Sequence, residues 1–214
     1  MLPYDSQRIT QFLRHLTSAD AILGSSTYID VCPEEVNFGL VWEGVPEVSF
    51  TQFDYDYLEE YVLCDVDVRF DSVDARLQVH FVDELSYQVN LHFNCDIVIH
   101  TETKDYWSDK IEKIAMVFFK ELNPIYGCVG IERTACGIRA LESKQCLPYA
   151  DKIFLHDRLF LDKSDIYHAL LENVENVISI DGVGFYMRKT DALDFDLQES
   201  VDDQVLVSGL FQNI

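Results

Sequence analysis

The chain has 214 residues, 48% of them apolar, and sets 38 acids against 16 Lys and Arg for a formal net charge of −22. That is enough apolar material for one large or two small domains with a core. A field of this sign repels nucleic acid and anionic membranes and attracts basic partners.

Asp5 or Ser6 can cap a first helix, whose Ile9, Phe12, Leu13 and Leu16 fall at i, i+3, i+4 and i+7. That spacing lays one apolar stripe on a sheet. A Gly24–Ser26 turn should follow. Val36, Phe38, Leu40 and Trp42 then alternate with polar or small residues as a strand ends near Gly44 and Pro46.

The stretch Phe50 to Tyr61 interleaves aromatics with acids. After it, Val62 to Phe70 and Ala75 to Phe81 both alternate apolar with polar or charged residues. Tyr87 to His100 does so over fourteen residues, with Val98 the one exception among its polar sites. Alternate side chains on a strand point to opposite faces, so each run has a dry and a wet side. Short links at Asp71–Asp74 and Asp83–Leu85 make consecutive strands antiparallel hairpins. With Phe70 facing Ala75 and Phe81 facing Tyr87, the wet face carries the rows Asp65–His80–Gln88, Asp67–Gln78–Asn90 and Arg69–Arg76–His92. A slip by two residues would shift these rows and keep the faces.

A second helix opens at Asp105 or Ser108, with Trp107, Ile111, Ile114, Ala115, Phe118 and Leu122 as its stripe, and Pro124 closes it. Ile125 to Ile131 reads as a strand, Ala135 to Ser143 as a short helix, and Ile153 to Phe160 as extended chain. Ser164 caps a third helix, Asp165 to Val174. Val177–Ile180 and Val183–Met187 flank Asp181-Gly182, a hairpin signal. Gln204 to Leu210 can add a last strand.

The expected fold is therefore α+β, an antiparallel meander of four or more strands with helices packed on one face. A single domain spanning residues 1–214 is expected, the alternative being a boundary near Leu147–Pro148 that separates 1–147 from 148–214. With no basic start ahead of a long apolar run, no signal peptide is read. No apolar run nears the ~20 residues of a membrane helix, so a soluble cytoplasmic protein is expected. Six cysteines, with no Cys-x-x-Cys pair, read as reduced and mostly buried thiols.

The acid excess is uneven. Between His15 and Val68 there is no Lys or Arg, against twelve acids, while ten of the sixteen bases lie between Lys104 and Lys163. Within the base-free stretch, aromatics beside carboxylates suit an interface that steers and holds a cationic partner. The candidate partner-binding residues are Asp54, Tyr55, Asp56, Tyr57, Glu59 and Glu60, with Asp65 and Asp67 nearby. The plainer reading makes this an irregular strand with Phe53, Tyr55 and Tyr57 in the core and the acids in water.

An enzyme would draw on Asp65, His80 and Asp67, since a carboxylate can orient a histidine for base work. His80, His92 and His100 share the wet face yet stand too far apart for one metal ion. Asp54 to Glu59 lacks the glycine an EF-hand loop needs at its sixth position. No phosphate-loop or hydrolase pattern occurs, so no cofactor is expected. A third reading is the structural subunit of an oligomer.

The run VFFKELNPIYGCVGIE, Val117 to Glu132, resembles the helix–Pro–Tyr–Gly–strand passage of small acidic immunity proteins from bacterial toxin systems. The resemblance covers about sixteen residues. It implies a cytoplasmic protein that neutralises a toxin by binding it, and it supplies no catalytic residues.

Overall fold

A computed structural model describes residues 4–33, 36, 44–83, 86–94, 96–99, 101–130, 152–162, 165, 168, 177–180 and 182–188. The fold is α+β, with two antiparallel sheets in two compact units, Met1–Ile97 and Val98–Ile214.

The first unit opens on α1 (Ser6–Ser18). Asp5 caps it by accepting from the Arg8 N–H at 3.1 Å, and Ile9, Phe12, Leu13 and Leu16 are all buried. Asp20, at φ 66°, turns the chain straight into β1 (Ala21–Ile29). The sheet also contains β2 (Glu47–Phe50), β3 (Val62–Phe70), β4 (Val73–Asp83) and β5 (Ser86–Phe93), in the order β2-β1-β3-β4-β5. A short helix, α2 (Tyr57–Glu60), precedes β3. The dry face buries Val66, Val68, Phe70, Leu77 and Val79, the residues picked out by alternation, and α1 lays its stripe there.

Three local expectations are corrected. Gly24–Ser26 is no turn but part of β1, because a bulge absorbs it: Leu23 pairs with Val68 and Ser26 with Val66, leaving Gly24 and Ser25 opposite Asp67. The Ser25 hydroxyl donates to Asp67 Oδ2 there. The β3–β4 register is shifted by two residues, with Phe70 facing Val73. Asp71 adopts φ 53°, which lets Asp71-Ser72 alone make the turn, and Val73 joins the strand. Finally, the alternation from Tyr87 to His100 is not one strand. Asn94 Oδ1 accepts from the Asp96 N–H at 3.0 Å, and this side-chain turn ends β5 and begins α3 (Asp96–Ile99). The β4–β5 register is the expected one, Phe81 opposite Tyr87.

The second unit has α4 (Thr101–Leu122), β6 (Tyr126–Val129), β7 (Lys152–His156), β8 (Val177–Ile180) and β9 (Gly184–Arg188), its sheet ordered β6-β7-β9-β8. Helix α4 begins earlier than Asp105, and it ends where Asn123 takes φ 49° ahead of Pro124. Phe119 of α4 is buried among Phe154, Ile180 and Tyr186, with Ala115 and Met116 beside it. After β7 the chain enters a 3-10 turn, Asp157–Phe160, so extended structure stops at His156. Ile180 pairs with Gly184, giving the β8–β9 hairpin a three-residue loop with Gly182 at φ 72°. All but Val36 of the strand expected at Val36–Trp42, the helix at 135–143, most of the helix at 165–174 and the strand at 204–210 lie outside the described residues.

Candidate functional site

The turn from Phe53 to Tyr61 is built on an aromatic cluster that hangs from the dry side of the sheet. Phe50, the last residue of β2, pairs with Ser26 in register and stacks on Tyr57 with ring centroids 3.8 Å apart and planes at 15°. Tyr28 of β1 meets Phe50 edge-on at 5.7 Å and Tyr57 at 5.9 Å. Tyr61 adds a fourth ring, 6.1 Å from Tyr28. Leu58 is the buried residue of α2. Such packing makes the turn a fixed shelf rather than a floppy loop.

Asp56 N–H donates to Asp54 Oδ1 at 3.1 Å, the local bond that makes an aspartate start a turn here instead of a strand. The irregular strand of the plainer reading is thus replaced by a turn and α2. Tyr55 leans on the last turns of α1: the Arg14 guanidinium carbon lies 4.3 Å above its ring, and Thr17 Oγ1 lies 3.4 Å from its hydroxyl. Phe53 meets Tyr55 edge-on at 5.0 Å.

Asp54, Asp56, Glu59 and Glu60 all point to solvent. Among the described residues none of the four has a salt bridge. The first 97 residues hold eighteen acids and four arginines. Three of those arginines are taken by other carboxylates: Arg8 by Asp5 at 3.2 Å, Arg69 by Asp74 at 2.6 Å and Arg76 by Asp65 at 2.9 Å. The fourth, Arg14, sits on Tyr55. Burial pushes the Tyr28 hydroxyl up to about 12, with Tyr57 and Asp54 adding to the shift. The Tyr61 phenol is also raised, by local desolvation and then by Glu60 and Asp30.

Asp65 and Asp67 stand elsewhere, on the polar face. The register sets Thr27, Asp65, Gln78 and Asn90 in one row, and Asp67, Arg76 and His92 in the next. The expected Asp65–His80 pair is replaced by Asp65–Gln78. His80 faces Gln88 and contacts Gln78 Oε1 at 3.4 Å. The His92 imidazole is held below 6.5, by partial burial first and then by His80. The structure thus brings together six of the eight predicted partner-binding residues and places the remaining two on the other side of the sheet.

The sequence reading missed Arg14, Thr17, Tyr28 and Phe50 as supports of the turn. Strand β2 has only four residues, too few for alternation to show, and Arg14 lies 41 positions before Tyr55. No family model, no curated protein and no solved structure matches this chain. No described helix is long and apolar enough to cross a membrane.

Proposed function

We propose that the protein is a non-enzymatic acidic binding protein that docks a basic protein partner through the turn Phe53 to Tyr61. One observation carries the reading. Four exposed carboxylates, none in a salt bridge among the described residues, project from a shelf of packed aromatic rings, in a unit where three of the four arginines are held by other carboxylates and the fourth, Arg14, lies on Tyr55.

The carboxylates speed encounter, because unlike charge steers diffusing partners. The half-buried Tyr55 and Tyr57, already ordered by packing, offer contact area at small entropic cost and set how long the complex lasts. Asp67 adds to the field from the polar face, and Arg76 offsets Asp65. A cytoplasmic immunity-type inhibitor of a basic toxin is the specific form that the resemblance of Val117 to Glu132 implies.

The test is capture from native lysate at low salt by immobilised protein, comparing wild type with D54K/D56K/E59K/E60K. A matched control reverses Glu102, Asp105, Asp109 and Asp157, which are exposed on the second unit. Basic proteins retained by wild type and the control, lost from the turn variant and released by salt are the expected result. Equal retention by all three proteins refutes the assignment.

A further inference from the structure

Arg14 is the one arginine of the first 97 residues that rests on a ring and not on a carboxylate. This is unusual company for a cation in a unit with eighteen acids. Its side chain is exposed, and its guanidinium carbon sits 4.3 Å from the Tyr55 centroid, well inside the range of a cation–π contact. The ring is held by an edge-on contact with Phe53 and, at its hydroxyl, by Thr17. Asp54 and Asp56 flank Tyr55 in sequence, both exposed. The last turns of α1 bring the negative end of a helix dipole to the same place. Every feature here favours a planar cation on this ring, and the protein's own side chain already occupies it.

We propose that Arg14 is an internal placeholder in a guanidinium site, which an exposed arginine of the basic partner takes over when it docks. The inference rests on the docking reading above and names the group recognised. Charge complementarity commits the occupant to a cation, and ring stacking commits it to arginine over lysine, since a guanidinium is flat and weakly hydrated while an ammonium is neither. Exchange of one arginine for another on Tyr55 gains little by itself. The placeholder keeps the ring covered and lowers affinity for stray cations until a partner supplies both the arginine and the surrounding contacts.

Calorimetric titration with an arginine-only peptide and a lysine-only peptide of equal length tests this on the full chain. Arg14→Gln vacates the ring and removes one positive charge. Arg8→Gln, elsewhere on α1, removes the same charge and leaves the ring covered. Arg14→Gln should tighten the arginine peptide ~2–5-fold beyond what Arg8→Gln does, with no such excess for the lysine peptide. Adding Tyr55→Leu to Arg14→Gln should erase the excess. Equal tightening by the two glutamine variants, with wild type binding both peptides, overturns the placeholder and leaves the docking reading intact. Failure of wild type to bind either peptide overturns both.

Discussion

Lys152 Nζ lies 2.9 Å from Glu112 Oε2, the lysine on β7 wholly buried and the glutamate on α4 keeping 16% of its side chain in contact with solvent. Removing one member of such a pair takes away the other's counter-charge. Glu112→Ala removes the carboxylate paired with a buried ammonium and should cost about 3 kcal/mol in urea unfolding. Lys152→Met should cost less, because Glu112 still reaches water. The double variant E112L/K152M should recover most of the loss. A double variant no better than Glu112→Ala would contradict the charge imbalance as the source of the loss.

Gly184 crosses β7 so closely that a Cβ there would overlap the Leu155 carbonyl oxygen and come within 2.8 Å of His156 Cα. Both obstacles are backbone and cannot swing aside. Gly184→Ala should therefore destabilise the second unit by about 2–3 kcal/mol, with lost amide protection in β7 and β9 under hydrogen exchange. Gly182→Ala is the contrast: nothing lies near its Cβ, and its cost comes from φ 72° alone, about 1 kcal/mol. Equal costs for the two substitutions would contradict the register between β7 and β9.

The polar end of that same hairpin predicts a pH effect. His156 Nδ1 accepts from the Arg158 N–H at 3.0 Å, and Nε2 lies 2.6 Å from Asn123 Oδ1, an arrangement that fits the neutral ring. Burial, and then Arg158, hold the imidazole below 6.5, while Asp157 pulls the other way. A histidine with a depressed folded pKa binds its proton more readily when unfolded. Its contribution is therefore complete above pH 6.5 and is lost as pH falls through the folded value. The unfolding midpoint should drop as pH falls below 6.5 in wild type and less so in His156→Gln. Parallel curves would remove His156 from the account.

The Cys64 thiol is pushed up to about 12 by burial, with Glu47 and Asp65 adding to the effect. It should resist alkylation at pH 8 in the native protein and react once the chain is unfolded. Native labelling of Cys64 at the rate of a free thiol would show that its side of β3 is open.

How far these features could be read from residues alone depended on whether one segment's pattern sufficed. The stripe of Ile9, Phe12, Leu13 and Leu16, the cap at Asp5 and the two faces of β3 and β4 follow from period and capping chemistry within each segment. The hairpin turns were harder. Whether Phe70 faces Val73 or Ala75 depends on Asp71 accepting φ 53°, and alternation is indifferent to a shift of two residues. Tyr87 to His100 misled because its alternation continues past Asn94, where a side-chain bond to the Asp96 N–H wins over strand pairing. At the candidate site, the exposed acids were legible from composition. The Phe50–Tyr57 stack and the Arg14–Tyr55 contact were not, because they join segments whose approach only the folded sheet sets.

The central claim is that the carboxylates of one turn, and not the net charge of the chain, draw in a basic partner. Stopped-flow association of an arginine-rich peptide, followed across ionic strength, addresses this most directly. Wild type should show a rate that falls steeply with salt, and D54K/D56K/E59K/E60K should be slower by about tenfold or more at low salt with a nearly flat dependence. The control reversed at Glu102, Asp105, Asp109 and Asp157 should stay close to wild type. Equal slowing in both reversed proteins would contradict the account, since it would place the attraction in the whole molecule and leave the turn without a role.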